Sequence, residues 1–162
     1  MKRAALALCV LVAGCGYRLV APNSELPGGV RSVFVPVFDN RTADPQAALL
    51  FTEAAKDQLS RAGRLGGEAS EATLQGSVLG ISSGPFATSP QLGKQPAFRM
   101  TVTLSLNLVK NGASVGSTTV STAEEFPSGA DVLLTESNRA AALKRLADEA
   151  VREGLERLQS TP

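Results

Sequence analysis

The stretch Phe98-Arg99-Met100-Thr101-Val102-Thr103-Leu104-Ser105-Leu106-Asn107-Leu108-Val109 decides the fold. Phe98, Met100, Val102, Leu104, Leu106 and Leu108 alternate without a break with Arg99, Thr101, Thr103, Ser105 and Asn107. Successive strand side chains point to opposite faces, so this period of two marks a half-buried antiparallel strand. Asn111-Gly112 follows at once, and Asn-Gly suits a two-residue hairpin whose central residues need positive φ. The return strand is expected over Ala113–Glu125. It is polar, with Val115, Val120 and Ala123 among Ser and Thr, which suits an edge or a surface facing water or a partner.

Working back from that hairpin, Thr73–Ser82 reads as a strand with Leu74 and Val78 on one face and Leu79 and Ile81 on the other. Gly76 and Gly80 leave the first face thin, as a closely packed helix or a bulge would. Ser83–Ala97, rich in Ser, Gly and Pro, reads as a loop whose length points to function or mobility. Val30–Phe38 reads as a strand with Val33, Val35 and Val37 on one face and Phe34 and Phe38 on the other. Apolar residues on both faces imply cover on both sides, although Pro36 cannot donate to a ladder and favours an edge.

Two helices complete the pattern. Asp44 and Pro45 open the first, which runs to Ala62 before Gly63. Ala47, Phe51, Ala55, Leu59 and Ala62 form its apolar stripe. Pro127–Leu134 reads as a loop, after which Thr135 or Ser137 caps a helix to about Gln159. Leu143, Leu146, Ala147, Ala150, Val151, Leu155 and Leu158 make its apolar arc. Asp148–Arg152 and Glu153–Arg157 are acid-first pairs at four-residue spacing. The polar side mixes both signs, which fits a helix covering a sheet better than one lying on a membrane. The expected fold class is α+β, in the order β-α-β-β-β-α. Two helices pack on one face of a four-stranded mixed β-sheet.

The front of the chain sets the compartment. Lys2-Arg3 precede the nine-residue apolar run Ala4–Val12, and Ala13-Gly14-Cys15 follow. A membrane-spanning helix needs about 20 residues, whereas about 7–15 fit the apolar core of a signal peptide. Val12-Ala13-Gly14-Cys15 resembles a bacterial lipobox. Residues 1–14 are therefore expected to be removed as a lipoprotein signal peptide. Cys15 then becomes the lipid-attachment site, residues 15–29 form the lipidated N-terminus and tether, and residues 30–162 make a single α+β domain. Cys9 lies in the removed segment, which leaves one cysteine and no intramolecular disulfide. No cofactor is expected beyond that covalent lipid. Gly16 in place of Asp points to the outer membrane.

Composition narrows the chemistry. The mature chain would keep 14 basic residues against 15 acidic ones, a net charge of −1, and nucleic-acid binding is not expected. The chain has no histidine, which removes Ser-His-Asp and Cys-His nucleophiles and His-based metal sites. It has no phosphate loop and no nucleophile elbow. Glu124-Glu125 is an adjacent acidic pair, but strand neighbours point apart. No catalytic residue and no metal site are assigned, and the chain is not expected to be an enzyme.

Three segments carry a family resemblance: Cys15-Gly16-Tyr17-Arg18-Leu19, Val33-Phe34-Val35-Pro36-Val37-Phe38-Asp39-Asn40-Arg41-Thr42, and Glu136-Ser137-Asn138-Arg139-Ala140-Ala141. Together they resemble the LptE family of lipopolysaccharide-assembly lipoproteins. The resemblance implies helices on a four-stranded sheet. It also implies a non-catalytic role: a plug within the outer-membrane β-barrel LptD that helps the barrel fold and lipopolysaccharide reach the outer leaflet. Basic side chains near strand ends and loops would then meet lipopolysaccharide phosphates, with Lys94, Arg99 and Lys110 as candidates. Arg suits bidentate contact and Lys a point charge, and the competing reading of each is a solvated surface cation. The alternative function is an adaptor or pilot lipoprotein of another cell-envelope assembly, without lipopolysaccharide binding.

Overall fold

A computed structural model describes residues 25–86 and 97–160. The expected signal peptide, Cys15, Lys94 and most of the tether lie outside the described residues. The strands are β1 (Val33–Phe34), β2 (Asp39–Asn40), β3 (Ala72–Phe86), β4 (Ala97–Lys110) and β5 (Ala113–Pro127). The helices are α1 (Ala47–Arg61) and α2 (Val132–Ser160). The sheet runs β1-β3-β4-β5, and β2 also pairs with β3. Strands β1 and β2 lie parallel to β3, and β3, β4 and β5 are antiparallel. The architecture is the expected α+β one, a mixed sheet with both helices on one face.

The alternation in β4 lays down the core. Met100, Val102, Leu104 and Leu106 are fully buried and Leu108 nearly so, together with Val120 of β5. Every residue of the expected α2 arc is buried, as are Ala47, Phe51, Ala55 and Leu59 of α1, whereas Ala62 is exposed. Gly154 brings α2 close to the sheet: a Cβ there would come within 2.6 Å of Leu106 Cδ1. Asn111 and Gly112 take φ of 52° and 80°, the two positive values that the β4–β5 hairpin demands.

The single strand expected over Val30–Phe38 divides in two, which makes five strands rather than four. Val33 and Phe34 pair with Ala72 and Thr73, but Asp39 and Asn40 pair with Ser77 and Val78. The first segment therefore advances five residues while β3 advances four. Pro36 sits in the interruption and has no N–H to offer a ladder. One extra residue reverses the facing. Val33 and Val35 stay inside, Val37 turns out at 62 % exposure, and Phe38 turns in. The Phe38 ring fills the space above Gly76, where a Cβ would lie 2.4 Å from it. The Phe38 N–H donates to Thr52 Oγ1 at 2.9 Å, and that hydroxyl donates to the Ala48 carbonyl at 2.6 Å.

Three further boundaries differ from expectation. β3 continues through Ser83–Phe86, and Ala97 already belongs to β4. The Ser- and Gly-rich end of β3 thus pairs with β4 rather than looping. A bulge at Leu79 shifts the register between Val78 and Gly80. α2 starts at Val132 because Asp131 caps it, its carboxylate accepting the Leu134 N–H at 2.8 Å. α1 starts and ends close to expectation. The Asp44 carboxylate accepts the Gln46 N–H at 3.1 Å, and Gly63 closes the helix at φ 66°. Packing begins ahead of Val30: Leu26 is buried and Pro27 packs beside Gly116 of β5.

Candidate functional site

The side chains that β4 does not bury form the second face of the sheet. Arg99, Thr101, Thr103, Ser105, Asn107 and Val109 point away from the helices. By register their β5 neighbours are Glu125, Ala123, Ser121, Thr119, Ser117 and Ser114. Their β3 neighbours are Gly84, Ser82, Gly80, Ser77, Gln75 and Thr73. The only ionisable residues among these positions are Arg99 and Glu125, which pair with each other at 2.8 Å. Hydroxyls and amides bridge the strands in places. Asn107 Nδ2 donates to Gln75 Oε1 at 3.4 Å, and Ser114 Oγ donates to Asn107 Oδ1.

At one edge of this face β2 adds an ion pair. Arg41 Nε lies 2.9 Å from Asp39 Oδ2, which also accepts the Ser77 hydroxyl at 3.2 Å. The Arg41 guanidinium, and then the Ser77 hydroxyl, hold the Asp39 carboxyl below the usual carboxylate range. A shallow depression of about 370 Å³ opens beside the pair, lined by Val37, Asp39, Gln75, Ser77, Ser105 and Asn107, among others.

The outer side of the helices is different. Arg152 reaches both Glu149 at 2.6 Å and Glu156 at 2.8 Å, and turns to them rather than to Asp148. Glu149 first, and Glu156 next, raise the Arg152 pKa. Arg157 pairs with Glu153 as its spacing predicts, and α1 carries Lys56–Glu53 and Arg61–Asp57.

Of the basic candidates, Arg99 and Lys110 do not converge. Arg99 lies at the end of the sheet where β4 begins, with its guanidinium 3.9 Å from the Phe86 ring centroid. Lys110 ends the same strand, and its ammonium donates to the Gly28 carbonyl at 2.9 Å. They stand eleven positions apart along extended chain, about 36 Å at the usual strand rise. Lys94 and Cys15 lie outside the described residues.

Two of the segments that carry the family resemblance meet at one joint. Asn40 Oδ1 accepts the Thr42 N–H at 2.9 Å and hydroxyl at 2.8 Å, while its Nδ2 donates to the Asp44 carbonyl at 2.8 Å. Asp44 Oδ2 then accepts from Arg139 of α2 at 3.1 Å, and Asn138 Nδ2 donates to the Pro127 carbonyl at 3.1 Å. The Asp39–Thr42 and Asn138–Arg139 stretches therefore tie β2, α1 and α2 together.

The open face was legible on β4 in its alternation and on β5 in its polar composition. The part on β3 was hidden by the Leu79 bulge, and the Asp39–Arg41 pair by the break at Pro36. Among the described residues there is no group of three or more His, Cys, Asp or Glu suited to a metal.

A family model described as LptE, lipopolysaccharide-assembly, matches residues 30–158. No curated protein matches the chain. Solved structures share its fold at low identity. Rare lipoprotein B of Shewanella oneidensis is 9 % identical, with a TM-score of 0.51 over 76 % of this chain and 93 % of that one. An uncharacterised lipoprotein B of Nitrosomonas europaea is 18 % identical, with a TM-score of 0.51 over 89 % and 88 %. The PelC dodecamer of Paraburkholderia phytofirmans is 18 % identical, with a TM-score of 0.53 over 85 % and 95 %. At such identities the likeness concerns the fold, whereas the family match runs through every strand and both helices. The chain belongs to the LptE family of lipopolysaccharide-assembly lipoproteins.

Proposed function

We propose that this protein is anchored in the outer membrane by lipid on Cys15 and seats within the LptD barrel as a plug. There it assists barrel assembly and the delivery of lipopolysaccharide to the cell surface. The observation that carries this reading is the family match over residues 30–158. The lipobox-like Val12-Ala13-Gly14-Cys15 supports the anchor. Several acyl chains on one cysteine would make attachment stable, since a single chain holds a protein only reversibly.

Arg99 and Lys94 are the favoured lipopolysaccharide contacts. The Arg99 side chain keeps 49 % exposure despite its pair with Glu125, and Lys94 falls in the ten residues between β3 and β4. Lys110 is the weaker candidate, because its ammonium already serves the Gly28 carbonyl.

Depletion in the native bacterium tests the reading. Surface lipopolysaccharide should fall and unfolded barrel should accumulate. Normal surface lipopolysaccharide, with a different envelope assembly disturbed, would favour the adaptor or pilot alternative instead.

A further inference from the structure

The first turn of α2 is built unlike the rest of the helix. Asp131 caps it, and Val132, Leu133 and Leu134 follow with exposures of 77 %, 83 % and 48 %. Farther along, the outer side of α2 carries ion pairs, Arg152 with Glu149 and Glu156, and Arg157 with Glu153. The apolar turn stands clear of the sheet. Asn138 Nδ2 meets the carbonyl of Pro127, the last residue of β5, whereas Leu158 lies beside Gly116 near the start of that strand. The helix therefore runs back over β5. Val132, six residues ahead of Asn138, projects about 9 Å farther along the axis at the usual rise.

We propose that this apolar tip dips end-on into a zwitterionic phospholipid leaflet, the one that holds the acyl chains on Cys15. The state concerned is the anchored chain before it enters a barrel. The proposal rests on the lipid at Cys15 and not on the plug reading.

Shape, charge and reach select that occupant. Consecutive helix residues point about 100° apart, so Val132, Leu133 and Leu134 make a knob that is apolar on several sides. A helix that enters a protein groove repeats its anchors at three-, four- and seven-residue spacing. From Leu133 those positions are Glu136, Ser137 and Ala140, which form no such stripe. Fluid hydrocarbon sets no direction, because apolar burial is non-directional and follows area. The projection of about 9 Å also matches the depth of about 5–10 Å to which apolar side chains sink at a membrane interface. Charge disfavours a polyanion at the tip. Asp131 and Glu136 flank it, and Arg139 is taken up by Asp44 and Glu136. Zwitterionic headgroups meet no such repulsion. Cys15 stands eleven positions ahead of Leu26, at most about 40 Å of extended chain. The chain enters the fold where Pro27 rests beside Gly116, and β5 from Gly116 to Pro127 is about 36 Å long. The tether is thus long enough for Cys15 and the tip to share one leaflet.

Tryptophan reports on the tip without background, since the chain has none. Leu133→Trp and Val132→Trp are placed singly in the full, lipidated chain and reconstituted into phosphatidylcholine vesicles. Both replace exposed side chains, and either serves if the other fails to fold. Lys144→Trp is the control, exposed and about 16 Å farther along the helix than Leu133. The two tip reporters should emit at shorter wavelength than the control. Phospholipid brominated along its acyl chains should quench them at least threefold more. Equal emission and quenching at all three positions would overturn the proposal. A tip response that needs added lipopolysaccharide would overturn it in favour of that ligand. A response that follows chain concentration rather than lipid would overturn it in favour of a second copy. Mass spectrometry of the same sample separates the two ways of failing. An unacylated Cys15 would remove the anchor and the proposal with it, whereas an unshifted tip on an acylated chain would remove the proposal alone and leave the anchor and the plug reading standing.

Discussion

Strand β4 carries two chemistries back to back. Met100 to Leu108, counted by twos, are closed off by α1 and α2, while Thr101 to Asn107, counted by twos, carry only hydroxyls and an amide on the other side. The covered face is where stability resides. Each fully buried Leu or Val contributes about 1.5–3 kcal/mol relative to exposure. The open face contributes little of that kind and leaves its hydroxyls and amides at the surface. One strand thus carries a stabilising face and a polar face, and neighbouring residues should respond to substitution differently.

The sharpest break of that contrast is Leu104→Asp. It would put an unpaired carboxylate into the middle of the core and should abolish folding, seen as loss of the cooperative unfolding transition. A folded Leu104→Asp variant would mean that the two faces have been assigned the wrong way round. Thr52→Val comes next. It keeps the shape but strands the buried Phe38 N–H, at a cost of about 1–3 kcal/mol in chemical denaturation. A neutral result would remove Thr52 as the clip between β2 and α1. Thr103→Lys, one residue from Leu104, should change stability by no more than about 0.5 kcal/mol. A large loss there would show that the open face is part of the fold after all.

The smallest effect concerns acid. Asp39 titrates below its ordinary value because Arg41 and Ser77 stabilise its charged form. Its contribution to stability is therefore present above the unfolded carboxylate pKa and is lost as pH falls through the lowered folded pKa. In Arg41→Ala the Asp39 midpoint, followed by NMR, should move up toward the usual carboxylate range. An unmoved midpoint would deny Arg41 its role at the rim of the open face.

Periodicity made most of the covered face legible. The unbroken alternation from Phe98 to Val109 and the Asn111-Gly112 turn could hardly be read otherwise, and the apolar arc of α2 is buried residue for residue. What escaped was irregularity. A single proline at position 36 shifts the pairing of the first segment by one and exchanges the facing of Val37 and Phe38. The bulge at Leu79 does the same within β3. Such slips leave local composition unchanged and depend on partners far away in the chain. The start of α2 was missed for a different reason: Asp131, not Thr135 or Ser137, supplies the capping oxygen.

The site was less legible than the fold. Alternation in β4 and the polar composition of β5 pointed to two-thirds of the open face, but whether Arg99 and Lys110 meet stayed open until the strand between them was laid out. The Asp39–Thr42 and Asn138–Arg139 segments, distinctive as sequence, serve a joint of the scaffold through Asn40, Asp44 and Arg139. Their distinctiveness therefore speaks for the family fold more than for ligand contact.

The central claim is that this lipoprotein works by being held within a barrel. Native mass spectrometry of complexes extracted from outer membranes with a tagged, full-length chain addresses it directly. The account predicts a stoichiometric complex with a large outer-membrane β-barrel and an N-terminus of acylated Cys15. Recovery of the chain alone, or with an unacylated start at another residue, would contradict it.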